Sequence, residues 1–122
     1  MFLRPLLRDP QAAWALESGS GSLVARRLEA AFDSASRRRG LLGRDTWTDA
    51  ALVIAPCEAH MFFMRFPIDV VFVSRDGRVL KVRANVVPRR MTASLGAFAA
   101  IEFAANSVSR VGLAVGWRLA IR

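Results

Sequence analysis

Cysteine is almost missing from this chain of 122 residues, and tyrosine is missing altogether. A single thiol, Cys57, excludes an internal disulfide, and it excludes a structural zinc site built from several cysteines. Lysine is just as scarce, since Lys81 is the only one. No stretch of about 18 apolar residues occurs, so there is no candidate membrane-spanning helix. The first residues, Met1 to Arg8, carry Arg4 and Arg8 around a short Leu6-Leu7 pair. They lack the apolar core of roughly 7–15 residues that a secretory signal needs. A lone thiol fits a reducing compartment, and these absences together predict a cytoplasmic protein.

Acidic residues number 10 against 18 basic ones, a net charge of +8, and all the cations but Lys81 are arginine. Such an excess is what a nucleic-acid or lipid surface would attract. The arginines, however, are scattered: Arg26-Arg27, Arg37-Arg38-Arg39, Arg75, Arg78, Arg83, Arg89-Arg90, Arg110, Arg118 and Arg122. The chain has no basic tail, zinc finger or Gly-rich phosphate loop, and no tyrosine for base stacking. A compositional bias toward arginine explains the same numbers, and dispersed charge is weak support for a binding face.

What the chain does have is 53% hydrophobic residues, ample for one core and too many for a disordered segment. Its rare, chemically versatile residues are concentrated between Pro56 and Asp69. This block holds the only Cys, the only His, two of the four Met and two of the five Pro. The apolar run Ala51 to Ala55 leads in, and Ile68 to Ser74, rich in β-branched residues, leads out.

Around the block the pattern is mainly β. Residues 1–21 are punctuated by Pro5, Pro10 and Ser18-Gly19-Ser20-Gly21. They predict a loosely packed leader, weakly structured or holding a short helix, before a single domain over 22–122. Residues 22–44 fit two patterns: Ala25, Leu28, Ala31, Phe32 and Ala35 follow helical spacing, whereas Leu23 to Glu29 also suits a strand before a helix over 33–42, capped by Asp33 or Ser34 and ended by Gly40 or Gly43. Arg37-Arg38-Arg39 would then complement the C-terminal end of the helix dipole. Arg75-Asp76-Gly77-Arg78 is a hairpin turn, and Val79 to Val87 alternates between a core face and a polar face. Ala97 to Phe103 and Trp117 to Ile121 complete the strands, with one helical turn at Ser107 to Val111. The expected class is mainly β (α+β), a small barrel or sandwich of about six strands with one or two short helices.

These pieces resemble the DUF192 family. Gly40-Leu41-Leu42-Gly43-Arg44, Pro56-Cys57 with His60, and the run Phe63 to Phe72 carry the likeness. So do Asp76-Gly77, Pro88, Ile101-Glu102, Gly112-Leu113, and Gly116 with Leu119. The resemblance spans about residues 23–121, implies a compact β-barrel-like fold, favours a strand over 23–29 followed by a helix over 33–42, and implies no reaction. Three positions depart from the family pattern, the first being Met61-Phe62, where a small residue or threonine is common before the Phe-Met pair. Asn106 stands where a glycine is usual, and asparagine is the next best residue for a left-handed turn. Trp117 replaces an aspartate before the last strand, which removes a carboxylate.

The candidate site residues are Cys57, His60, Met64, Arg65, Asp69 and Glu102. Cys57 and His60, three apart, suit a thiolate activated by an imidazole. They equally suit half of a soft-metal site with Met61 or Met64 as thioether ligands. They also suit a buried small side chain beside a histidine bonded to a loop carbonyl. Asp69, inside an apolar strand, requires a partner, with Arg65 the nearest in sequence and Arg44 the second. It would form a pocket floor, or a buried pair that fixes the Pro67 turn. Glu102 poses the same question. Convergence of Asp69, Glu102, His60 and Arg65 would create a polar cleft. The leading expectation is therefore a non-enzymatic module binding a small molecule or a protein. The alternatives are a small thiol- or carboxylate-dependent enzyme, a soft-metal protein and, last, a nucleic-acid binder. No cofactor is indicated.

Overall fold

The fold is described from a computed structural model, covering residues 1–39, 49–56, 59–62, 66–87, 90–94 and 96–122. Three short strands, β1 (Leu16–Ser18), β2 (Leu23–Ala25) and β10 (Leu119–Ile121), form one sheet in the order β10-β1-β2. A five-stranded sheet contains β3 (Arg27–Ala31), β4 (Ala50–Ile54), β6 (Ile68–Val73), β7 (Val79–Val86) and β9 (Ala99–Ala104). Its order is β3-β4-β9-β6-β7, with β3 and β4 parallel and every other pair antiparallel. The remaining strands, β5 (Ala59–Phe62) and β8 (Arg90–Ala93), pair only with each other. Among the described residues three short helices complete the fold: α1 (Arg4–Arg8), α2 (Ser34–Arg39) and α3 (Ser107–Val111). Among the described residues no helix is long and apolar enough to cross a membrane.

The two sheets make a sandwich joined at two places. Strands β2 and β3 are separated only by Arg26, where the chain leaves one sheet for the other. There its guanidinium meets the Asp49 carboxylate at 3.0 Å. At the opposite edge, Arg78 pairs with Arg118 in an isolated bridge. The expected single strand over 23–29 is thus two strands bent around an exposed arginine.

Strands β4 and β6 are buried along their whole length, as continuous apolar runs are when both faces of a sheet are covered. On the face toward the small sheet, Val53, Val71, Val73, Ile101 and Phe103 pack with Leu16, Ala25, Leu119 and Ile121. On the second face Leu52, Ile54, Ile68, Val70, Phe72 and Ala100 form their own cluster.

The first 21 residues do not pack loosely. Leu3, Leu6 and Leu16 lie in the main core, and β1 is the central strand of the small sheet. Pro5 sits in the first turn of α1, where its missing N–H costs nothing. The Ser18–Gly21 run, expected as a linker, is a tight turn closed by the Gly21 N–H on the Ser18 carbonyl at 2.9 Å. We predict that Leu6→Ala, at a side chain 0% exposed, lowers unfolding stability by about 2–5 kcal/mol. Urea denaturation checks this; a change below about 0.5 kcal/mol, the size typical of surface sites, would show that α1 is not docked.

Helix α2 starts as expected on Asp33. The Ser36 N–H donates to Asp33 Oδ1 at 2.8 Å and the Ser36 hydroxyl to Oδ2 at 2.6 Å. The hydroxyl bond, then the main-chain bond, holds the Asp33 carboxyl below its ordinary value of 3.8. The expected end of this helix at Gly40 or Gly43 lies outside the described residues.

Candidate functional site

Asp69 is completely buried, 0% exposed, yet both of its oxygens have partners. Strand β7 bulges opposite it: Ile68 pairs with Val86, whereas Val70 pairs with Arg83. Asn85, inside the bulge, takes a left-handed φ of 54°, and a bulge of this kind leaves main-chain groups off the ladder. The Asn85 N–H turns to Asp69 Oδ1 at 2.9 Å. On the other oxygen, the Val108 N–H donates to Asp69 Oδ2 at 3.0 Å. Val108 is in the first turn of α3, whose N-cap, Asn106, makes no side-chain cap bond. Asp69 therefore caps α3 from a distant strand and fills the gap in the β6–β7 ladder. Asn106 itself has a φ of 72°, so asparagine does supply the left-handed turn where the family usually has glycine.

Glu102, 1% exposed, is the other buried acid. It lies opposite Leu52 on β4 and opposite Val70 on β6, both members of the second-face cluster. Asp69 lies opposite Phe103, a member of the main core. Side chains directly across a ladder share a face and successive residues alternate. The two carboxylates, neighbours in the sheet, thus point to opposite faces of it. A single cleft lined by both does not form. Glu102 is itself engaged by a partner, and its Oε1 is shielded from solvent.

Of the remaining candidates, His60 lies on β5, with its backbone paired opposite Thr92. Cys57, Met64 and Arg65 lie outside the described residues, as does Arg44, so the proposed Arg65–Asp69 pair is not among the contacts described. Strand β4 ends beside Ala100, whereas β6 begins beside Ala104, at the other end of β9. The end of β4 and the start of β6 therefore lie at opposite ends of the sheet. Strand β7 ends beside Ile68, and β9 begins at Ala99, so the end of β7 and the start of β9 are likewise at opposite ends, in the reverse sense. The antiparallel pairing of β5 with β8 matches these opposed senses. Phe66 and Ala97, at the ends of the two connections, pack on the second face, the face of Glu102.

Among the described residues no group of three or more His, Cys, Asp and Glu side chains is arranged to hold a metal ion. One further cluster escaped the sequence pattern. The Arg75 guanidinium lies over the Phe98 ring, 4.4 Å from its centre. Arg75 reads as a turn residue and Phe98 as a core residue, and nothing in their spacing brings them together.

Fold and register together define a two-sheet, mainly β domain with a paired crossover ribbon and two buried carboxylates on opposite faces. The chain belongs to the DUF192 family, described as an uncharacterized ACR, whose pattern matches residues 15–121. The match starts before the expected residue 23 and takes in β1, consistent with that strand's central place. A candidate transcription regulator from Sinorhizobium meliloti has a similar crystal structure: 26% identity, 87% of this chain and 89% of that chain covered, TM-score 0.75. A protein of unknown function from Novosphingobium aromaticivorans is similar at 28% identity over 87% of this chain and 81% of that one, TM-score 0.72. A hypothetical protein from Synechocystis shares the fold at 14% identity and TM-score 0.56, over 89% of this chain but only 18% of its own. No curated protein matches the chain significantly.

Proposed function

We propose that this domain is a non-enzymatic binding module for a polar ligand. Its site combines Glu102 with the crossover residues Cys57, His60, Met64 and Arg65, while Asp69 positions the framework beneath. The observation that carries the proposal is the place of Glu102, a carboxylate in the middle of an otherwise apolar strand, between Leu52 and Val70. Burying a carboxylate costs several kcal/mol even when it is paired, and an apolar residue of similar size is often as stable or more so. Asp69 answers that cost by closing a bulge and capping a helix. Glu102 lies on the face where the ends of the two crossovers, Phe66 and Ala97, pack. A carboxylate, an imidazole and a guanidinium brought together would recognise a ligand by hydrogen bonds and charge. The lone thiol supports a reducing, cytoplasmic setting.

Thermal-shift measurements on protein purified without chelator test this, with zinc, copper(I), inorganic phosphate and a panel of polar metabolite-sized molecules as probes. At least one probe is expected to raise Tm saturably in the parent, and Glu102→Gln is expected to abolish that rise. A Glu102→Met variant that is more stable than the parent, together with no saturable shift from any probe, would make Glu102 a structural residue and contradict the proposal.

A further inference from the structure

An open groove of about 760 Å³ lies where the β6–β7 turn meets the approach to β9. This is the end of the sheet away from Asp69, since β6 ends there opposite Ala99. Ser74, Arg75, Asp76, Ser94, Gly96 and Phe98 line it. We propose that this groove binds small organic monocarboxylates through Arg75.

Three observations converge. First, the guanidinium is stacked on the Phe98 ring at 4.4 Å, and among the described residues Arg75 forms no ion pair. Stacking immobilises the guanidinium plane and leaves its N–H edge available for the two oxygens of a carboxylate. Second, the turn beneath it is rigid. The Ser74 N–H donates to the Arg78 carbonyl at 3.0 Å and the Arg78 N–H to the Ser74 hydroxyl at 3.2 Å. The Arg75 carbonyl accepts from the Phe2 N–H at 2.9 Å, and the Phe98 N–H donates to the Val73 carbonyl at 2.9 Å. A receptor anchored on both sides loses little freedom on binding. Third, the lining is mixed. Ala97 and Phe98 offer apolar surface for a short hydrocarbon or aromatic body, and the Ser74 and Ser94 hydroxyls offer hydrogen bonds. Asp76 adds a negative charge beside Arg75, which disfavours a dianion such as phosphate and leaves a monoanion as the matching charge. Gly96, at a φ of +79°, has nothing within 4 Å of where a Cβ would project, so the groove wall is open there.

The test is a titration of 15N-labelled full-length protein with benzoate, benzamide and inorganic phosphate, followed by amide shifts. Benzoate is expected to shift the amides of residues 74–77 and 96–98 saturably. Benzamide, which lacks the charge, and the Arg75→Gln variant are each expected to weaken binding about tenfold, which corresponds to about 1.4 kcal/mol. Arg75 is exposed, so the variant should keep the parent's spectrum elsewhere, which the same experiment verifies. Absence of saturable shifts with benzoate up to about 10 mM, well above a millimolar Kd, would overturn the proposal. Equal affinity for phosphate, or benzoate binding unaffected by Arg75→Gln, would overturn it as well. Because Glu102 is not in this groove, failure here leaves the second-face proposal standing, and the converse holds.

Discussion

Asp69→Ala is expected to lower the melting temperature by about 15 °C. The substitution strands the buried Val108 N–H, removes the acceptor of the part-buried Asn85 N–H and leaves a small void. Hydrogen bonds to a charged group are worth about 1.5–3 kcal/mol each, and an unsatisfied buried donor costs about 1–3 kcal/mol. These figures describe overlapping losses, so a total near 4 kcal/mol is the reasonable sum. At about 4 °C per kcal/mol for a domain of this size, the stated fall follows. Asp69→Asn is nearly isosteric but keeps one acceptor oxygen and turns an NH₂ toward a second donor, so it should recover no more than about half of the loss. Differential scanning calorimetry checks both. A loss below about 1 kcal/mol for the alanine variant, no more than an ordinary substitution costs, would mean that the two bonds do not carry the turn and the helix.

The second large effect concerns Gly77. Its φ is +84°, and a Cβ there would fall 2.6 Å from the Leu119 carbonyl oxygen and 2.9 Å from Phe2 Cγ. The Leu119 N–H donates back to the Gly77 carbonyl at 2.8 Å, so the oxygen that blocks the Cβ belongs to a strand that cannot retreat cheaply. Gly77→Ala is expected to cost at least about 3 kcal/mol, from left-handed backbone strain of about 1–3 kcal/mol plus the clash. Gly112 provides the control. Its φ is +71°, but nothing lies within 4 Å of where its Cβ would be, so Gly112→Ala should cost only the strain, about 1 kcal/mol. Chemical denaturation of the two variants side by side separates backbone strain from the clash. Equal costs would contradict the close packing of the β6–β7 turn against β10 and the N-terminus.

Much of the framework was legible because its signals are local. The β-branched run at Ile68–Val73, the Asp-Gly turn, the alternation of Val79–Val86 and the single turn at Ser107–Val111 all appear where the pattern placed them. Asp33 was legible as a cap for the same reason. Strands β1, β5 and β8, three or four residues long, were not legible because no run of β-branched residues marks them. Strand β1 owes its place to partners far along the chain, with Leu16 opposite Ile121. The N-terminal segment misled because prolines and a Ser/Gly run look like a linker, whereas Leu3 and Leu6 are spaced to bury on one side of a helical turn.

The candidate site divides along the same line between local and distant information. That Asp69 and Glu102 are costly where they stand could be read from their apolar surroundings. That they face opposite ways depends on register, Asp69 against Phe103 and Glu102 against Val70. The role of Asp69 depends on a bulge sixteen residues downstream and on a helix thirty-nine residues downstream. No spacing in the chain encodes either contact. The Arg75–Phe98 stack was hidden for the same reason.

Asp69 holds the framework together, and Glu102 is the acid proposed to face the ligand. The most direct measurement is of through-hydrogen-bond scalar couplings from the Asn85 and Val108 amide nitrogens to the Asp69 carboxyl carbon, with hydrogen exchange of the same amides. Both couplings and slow exchange at both amides are expected, unchanged in Glu102→Gln. Missing couplings with rapid exchange at Asn85 and Val108 would contradict this role of Asp69, and would return it to the set of residues available to a ligand.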